Sequence, residues 1–244
     1  MDEKALQFDR EKHVCYSPEM KAVIRERLLL HRSPEEAEAL WEKFQLQYVE
    51  FLSDLPYLGG AKCTHNGVGG TYDCIAMFAY YEVLDPKPSL DEMEEMLNTV
   101  LLPPFRKIGK IGSLDHPVTL RIAGMIFPRV AGRDKKLEAT CPTGYIMDVA
   151  PYDKKTGVHY KFHRCPIAEF AKAHGYTHIM PAFCNGDYPA MEAIHAGLIR
   201  QYTCANHDYC DYWIVGESSP WLKKYPTVKD ENGYLRNWID PEET

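Results

Sequence analysis

The stretch GYIMDVAPYDKKTGVHYKFHR, residues 144–164, decides the fold. Gly144–Ala150 and Val158–Arg164 are short runs rich in aromatic and β-branched residues, and Tyr152–Gly157 between them is charged and ends in glycine. That is the composition of an antiparallel hairpin. Further along, Leu198–Cys204 and Tyr209–Val215 form a second such pair around Ala205-Asn206-His207-Asp208. Between the hairpins the sequence predicts two short helices: Pro166–His174 closed by Gly175, and Tyr188–Ala196 with Asp187 as N-cap and Gly197 as C-cap.

Upstream of Cys141 the punctuation is helical. Ser17-Pro18, Ser33-Pro34-Glu35-Glu36 and Ser89 to Glu92 are three helix starts, the last two capping boxes. After Ser33 the positions Ala37, Leu40, Trp41, Phe44, Tyr48, Phe51 and Leu52 recur at intervals of three and four, the stripe of a core-facing helix. Thr71–Leu84 reads as an apolar, aromatic helix behind the glycine-rich loop Leu58–Gly70. Pro103-Pro104 is expected to break the helix begun at Ser89, and Pro128 to break or kink one begun at Pro117. The expectation is an α+β fold: a helical N-terminal half packed on a small antiparallel β-sheet built from two C-terminal hairpins. It is read as one domain over 1–216, helical over 1–140 and β-rich over 141–216, with an aromatic and charged tail at 217–244.

The chain has 244 residues, 45% hydrophobic and 26% charged, enough to bury a sizeable core. Its formal net charge of -7 argues against a nucleic-acid or anionic-membrane partner and suits a small cationic ligand. No apolar run approaches the roughly 18 residues of a membrane span, and the acidic start Met1-Asp2-Glu3-Lys4 lacks a signal-peptide pattern, so a cytoplasmic location is expected. In that reducing setting the eight cysteines are not read as disulfides. Each alone reads as a small buried hydrophobe. Five of them fall between 141 and 210 beside His and Asp, where some are expected to be chemical.

Cys184, just upstream of an expected helix start, is a nucleophile candidate, because a helix N-terminus favours the thiolate. Asp187 either caps that helix, or holds a cationic amidine or orients a base. Cys204, His207 and Cys210 are spaced C-x-x-H-x-x-C. They are read as a turn presenting His207 as acid or base between buried cysteines, or as zinc ligands with Cys184 as a fourth. Strand alternation puts His159, Lys161, His163 and Cys165 on one face, offering His163 as general base and Cys165 as a second nucleophile. His65 lies on the glycine-rich loop.

Cys165-Pro166, Gly175, Cys184-x-x-Asp187, Arg200-x-x-Thr203 and Cys210-Asp211-Tyr212, with Gly67 to Tyr81 upstream, follow in an order that resembles the L-2-amino-thiazoline-4-carboxylic acid hydrolase family over roughly residues 60–216. Asn206-His207-Asp208 stands where that pattern has a glycine-containing turn, and Tyr212 where Phe is common. The resemblance implies a hydrolase that opens a small cyclic amidine or amide C–N bond, giving an N-carbamoyl amino acid from a 2-amino-thiazoline-4-carboxylate. The expected site is then Cys184, Asp187, His207 and His163 for chemistry, with Arg200, Cys165, Thr203 and His65 around the substrate. Arg200 either holds a substrate carboxylate or forms a structural ion pair. No cofactor is expected apart from the zinc alternative. A small-molecule substrate is the expected partner, a homo-oligomer stays open, and a non-catalytic sensor module is the remaining rival.

Overall fold

A computed structural model describes residues 16–30, 32–55, 58, 70–139 and 143–239. Cys15, Cys63, His65 and Cys141 lie outside the described residues. Five long helices come first: α1 (Pro18–Leu29), α2 (Pro34–Asp54), α3 (Thr71–Val83), α4 (Leu90–Ile111) and α5 (Pro117–Leu137). The caps read from the sequence are in place. Ser17 accepts from the Met20 amide, and Ser33 and Glu36 close a reciprocal capping box. Helix α3 is apolar all round because it is central: every residue from Thr71 to Tyr80 is buried, beneath α2. A helix without a polar face has no periodicity to read, and only its position inside the core explains it.

Helix α4 runs unbroken through Pro103 and Pro104. Leu97, Leu101, Phe105 and Ile108 lie on one face of it and wall the central cavity. Packing along that stripe outweighs the two amides lost at the prolines. The expected break is therefore absent, and α5 likewise continues past Pro128 to Leu137. Against α8 (Asp187–Glu192) the backbone of α4 comes so close that a Cβ on Gly109 would fall 2.0 Å from the Ala193 carbonyl oxygen.

The β-rich part holds one four-stranded antiparallel sheet of order β1-β2-β4-β3, with β1 (Ile146–Val149), β2 (Val158–Arg164), β3 (Ala196–Ile199) and β4 (Cys210–Gly216). Two hairpins, β1–β2 and β3–β4, join through β2–β4, where Tyr160 pairs with Tyr212 and Phe162 with Cys210. The fold is α+β as read. The second hairpin differs in one respect. Pairing stops at Ile199 opposite Trp213, and residues 200–209 leave the sheet. The chain leaves it because Asp211 accepts from the amides of Gln201 (3.0 Å) and Tyr202 (2.7 Å), which bends the backbone away.

Between the hairpins lie α6 (Pro166–His174), ended by Gly175 at φ 78°, then α7 (Met180–Cys184) and α8. The expected helix over Tyr188–Ala196 is shorter: it begins at Asp187 and ends at Glu192, so Asp187 is its first residue rather than its cap. Residues past 216 form α9 (Pro220–Lys224) and a small sheet of β5 (Thr227–Lys229) and β6 (Leu235–Asn237). They pack on the body: Tyr225 and Ile239 join Ile199, Trp213 and Val215 in a cluster on the sheet face opposite α4. Among the described residues, no helix is long and apolar enough to cross a membrane.

Candidate active site

The helices and the inner face of the sheet enclose a cavity of about 470 Å³. Tyr160, Phe162 and Tyr212 reach it from the sheet and the stripe of α4 from the other side, so its wall is mostly apolar. All five cysteines among the described residues line it: Cys74, Cys165, Cys184, Cys204 and Cys210, each unpaired. Asp73, Asp187, Arg200 and Thr203 supply its polar groups.

Arg200 is the first residue after β3 and is only 1% exposed. A buried guanidinium is tolerated only when its charge and N–H groups are matched. Its Nη1 donates to Asp187 Oδ2 at 2.6 Å and its Nη2 to the Cys184 carbonyl at 2.8 Å, while Nε is buried without a partner. The rings of Tyr188 and Tyr212 lie 5.1 and 5.6 Å from the guanidinium carbon. Tyr212 also donates its hydroxyl to Asp187 Oδ2 at 2.6 Å. One carboxylate oxygen thus accepts two short hydrogen bonds, whereas no described residue donates to Oδ1. The Asp187 side chain remains 35% exposed, so the open pole of this ion pair is the carboxylate. Arg200 thus forms an ion pair with Asp187 in this structure.

The thiols are held protonated. Burial pushes the Cys184 thiol up to about 12, against the opposing pull of the Arg200 charge and a hydrogen bond with Thr203. The helix start lies where it was expected, at Asp187, but α8 is only six residues long and Cys184 itself ends α7, so burial outweighs it. Cys165 is the residue that caps a helix, α6. Burial raises its pKa too, but the amides of Ile167 and Ala168 and the Tyr145 hydroxyl pull the other way. Burial carries Cys204 to about 12 and Cys74 and Cys210 well above the ordinary thiol range.

The histidines do not join them. His159, Lys161 and His163 share the sheet face opposite the cavity, and His163 Nε2 sits 3.1 Å from Asp148 Oδ2 at the half-exposed edge. Strand alternation fails for Cys165 because β2 ends at Arg164 and the chain turns into α6, swinging the thiol inward. His207, in the loop 200–209, stacks on Tyr202 at 4.1 Å and meets the edge of Tyr209 at 4.7 Å, outside the cavity. Cys204, His207 and Cys210 therefore do not converge, and among the described residues no group of three or more His, Cys, Asp or Glu side chains is placed to hold a metal ion. Thr203 lines the cavity, its amide and hydroxyl both donating to Asn206 Oδ1 at 3.1 Å. His65, expected near the substrate, is outside the described residues.

No spacing in the sequence marks the tail as part of this site, yet the tail holds it. Asn237, 0% exposed, accepts the Arg200 amide (2.9 Å) and the Tyr188 hydroxyl (3.0 Å) at Oδ1, and its own amide donates to the Arg200 carbonyl at 2.7 Å. Asn185, between α7 and α8, donates to the Gly233 carbonyl and accepts the Leu235 amide. Neither asparagine sits in a spacing that marks it; only burial identifies them.

A family model described as L-2-amino-thiazoline-4-carboxylic acid hydrolase matches residues 73–214. The match takes in Cys165, Cys184, Asp187, Arg200 and Tyr212 and stops before the tail. No curated protein and no solved structure matches the chain.

Proposed function

Because the chain belongs to the L-2-amino-thiazoline-4-carboxylic acid hydrolase family, we propose that it is a thiol-dependent hydrolase that opens a small cyclic amidine or amide in the cysteine-lined cavity. The observation that carries this reading is the meeting of Cys184, Asp187, Arg200 and Tyr212 on one apolar wall. Cys184 attacks the amidine or amide carbon, and its proton passes to Asp187, the carboxylate lining the same cavity. The Asp187 oxygen left without a donor accepts a ring or exocyclic N–H. Arg200 and Tyr212 orient that carboxylate; neither needs to touch the substrate.

Atom balance sharpens the bond that breaks. Conversion of a 2-amino-thiazoline to an N-carbamoyl product keeps both nitrogens on the attacked carbon, so the leaving atom is the ring sulfur. In a cyclic amide the leaving atom is nitrogen. In each case the proton taken from the thiol returns to the leaving atom, and water releases the thiol from the acyl or amidino intermediate.

Cys165 is a second nucleophile candidate on a specific ground: the amides of Ile167 and Ala168 favour its thiolate. Single Cys184→Ala and Cys165→Ala variants, assayed by mass spectrometry for ring opening, separate the two. Loss of turnover with retained folding is expected for Cys184→Ala; loss only in Cys165→Ala transfers the role, and full activity in both sinks the thiol mechanism.

A further inference from the structure

The family's name describes a small ring carrying a carboxylate, whereas the cavity is built for something else. Its only cation among the described residues is Arg200, and that guanidinium is 1% exposed, with Nη1 on Asp187, Nη2 on the Cys184 carbonyl and Nε sealed from solvent. At 1% exposure, with its charge matched by Asp187, it offers almost no surface to a second carboxylate. The accessible charge is instead the Asp187 carboxylate, which repels an anionic ligand and attracts an N–H-rich or cationic one. Asp73, a second carboxyl group in the lining, receives the Ser17 amide at 2.5 Å and adds no positive pole.

Size and wall chemistry agree with that charge. At about 470 Å³ the cavity lies within the roughly 300–1,000 Å³ that encloses drug-sized ligands. A bare five-membered ring with one carboxylate leaves most of that space empty. The remaining space faces Leu101, Phe105 and Ile108 of α4, Phe127 of α5, and Tyr160 and Phe162 of the sheet. Filling such a wall with polar groups strands them without partners, whereas an aryl or alkyl group leaves apolar surface covered.

We infer that the substrate is a cyclic amidine or amide bearing a bulky apolar substituent and no carboxylate, its ring N–H groups held at Asp187 and its substituent lodged against α4 and the inner face of the sheet. This rests on the hydrolase reading for the chemistry, but the ligand class rests on the cavity alone.

The test uses a matched pair of probes with the full chain: 2-amino-2-thiazoline-4-carboxylate, and 2-amino-4-benzyl-2-thiazoline, in which benzyl replaces the carboxylate. Equilibrium binding by calorimetry near neutral pH is expected to favour the benzyl compound at least about tenfold, as ~1.4 kcal/mol of apolar burial and relieved repulsion requires. Equal binding, tighter binding of the carboxylate, or no binding of either overturns the assignment. Leu101→Trp, which fills the α4 side, is expected to weaken the benzyl compound at least about tenfold, and an unchanged affinity would overturn the placement of the substituent. Ring opening in the same samples reads the chemistry separately: a benzyl compound that binds but is never opened sinks the hydrolase reading and leaves the ligand class standing.

Discussion

Cys184 and Asp187 are three residues apart, yet the structure treats them differently: one is a buried thiol kept neutral and the other a part-exposed carboxylate paired with Arg200. Burial raises the Cys184 pKa to about 12, so the fold favours the protonated thiol. The stability this contributes is present below the ordinary thiol pKa near 9 and drains away as pH climbs from there toward 12. Two outcomes are expected. Denaturant midpoints should fall on the alkaline side, and Cys184→Ser should blunt that fall. Alkylation of Cys184 by iodoacetamide, followed by peptide mapping, should be slow near pH 7 and rise about tenfold per pH unit above it. Rapid labelling at neutral pH would contradict the buried thiol. Asp187→Asn leaves the buried Arg200 without its anion, a loss on the order of 3 kcal/mol measurable by chemical unfolding. At this scale the sequence showed which residues were candidates but not their partners. The C-x-x-D spacing was legible; that Arg200 and Tyr212 would meet on one oxygen of Asp187 was not, because those contacts are made across separate elements.

Among the elements, α4 and the loop 200–209 do most to shape the site. Gly109 lets α4 lie against the end of α8, and Gly109→Ala is expected to push them apart at a cost of about 1–3 kcal/mol, visible as a lower Tm. The caps of α1 and α2 and the stripe of α2 are readable because they are local patterns in helices with one wet face. From sequence, helix α4 reads as broken since the effect of a proline pair is local, while the wall that holds the helix together is tertiary. The early end of β3 was hidden for a related reason. The carboxylate that bends the loop, Asp211, comes from the neighbouring strand. The same distance in sequence explains the misplaced histidines. Strand alternation correctly grouped His159, Lys161 and His163, but nothing local told which face of the sheet the helices would cover.

Taken as a whole, the molecule reaches past its recognisable part. The family match ends at residue 214, inside β4, whereas Asn237 fixes the backbone of Arg200 on both its donor and its acceptor side. Asn237→Ala is expected to cost about 1–3 kcal/mol by leaving the buried Arg200 amide unpaired, and to lower turnover of any opened substrate more than it raises KM. A chain cut after Gly216 is expected to precipitate or melt well below the full chain, since it bares Ile199, Trp213 and Val215 together. The five thiols around the cavity carry a last consequence, concerning air. Peroxide and molecular oxidants consume thiolates rather than thiols. By holding every one of these sulfurs protonated, the fold keeps a crowded set of neighbours from rusting into one another between turnovers. Aerobic storage without reductant should leave all five titratable by a thiol reagent after unfolding.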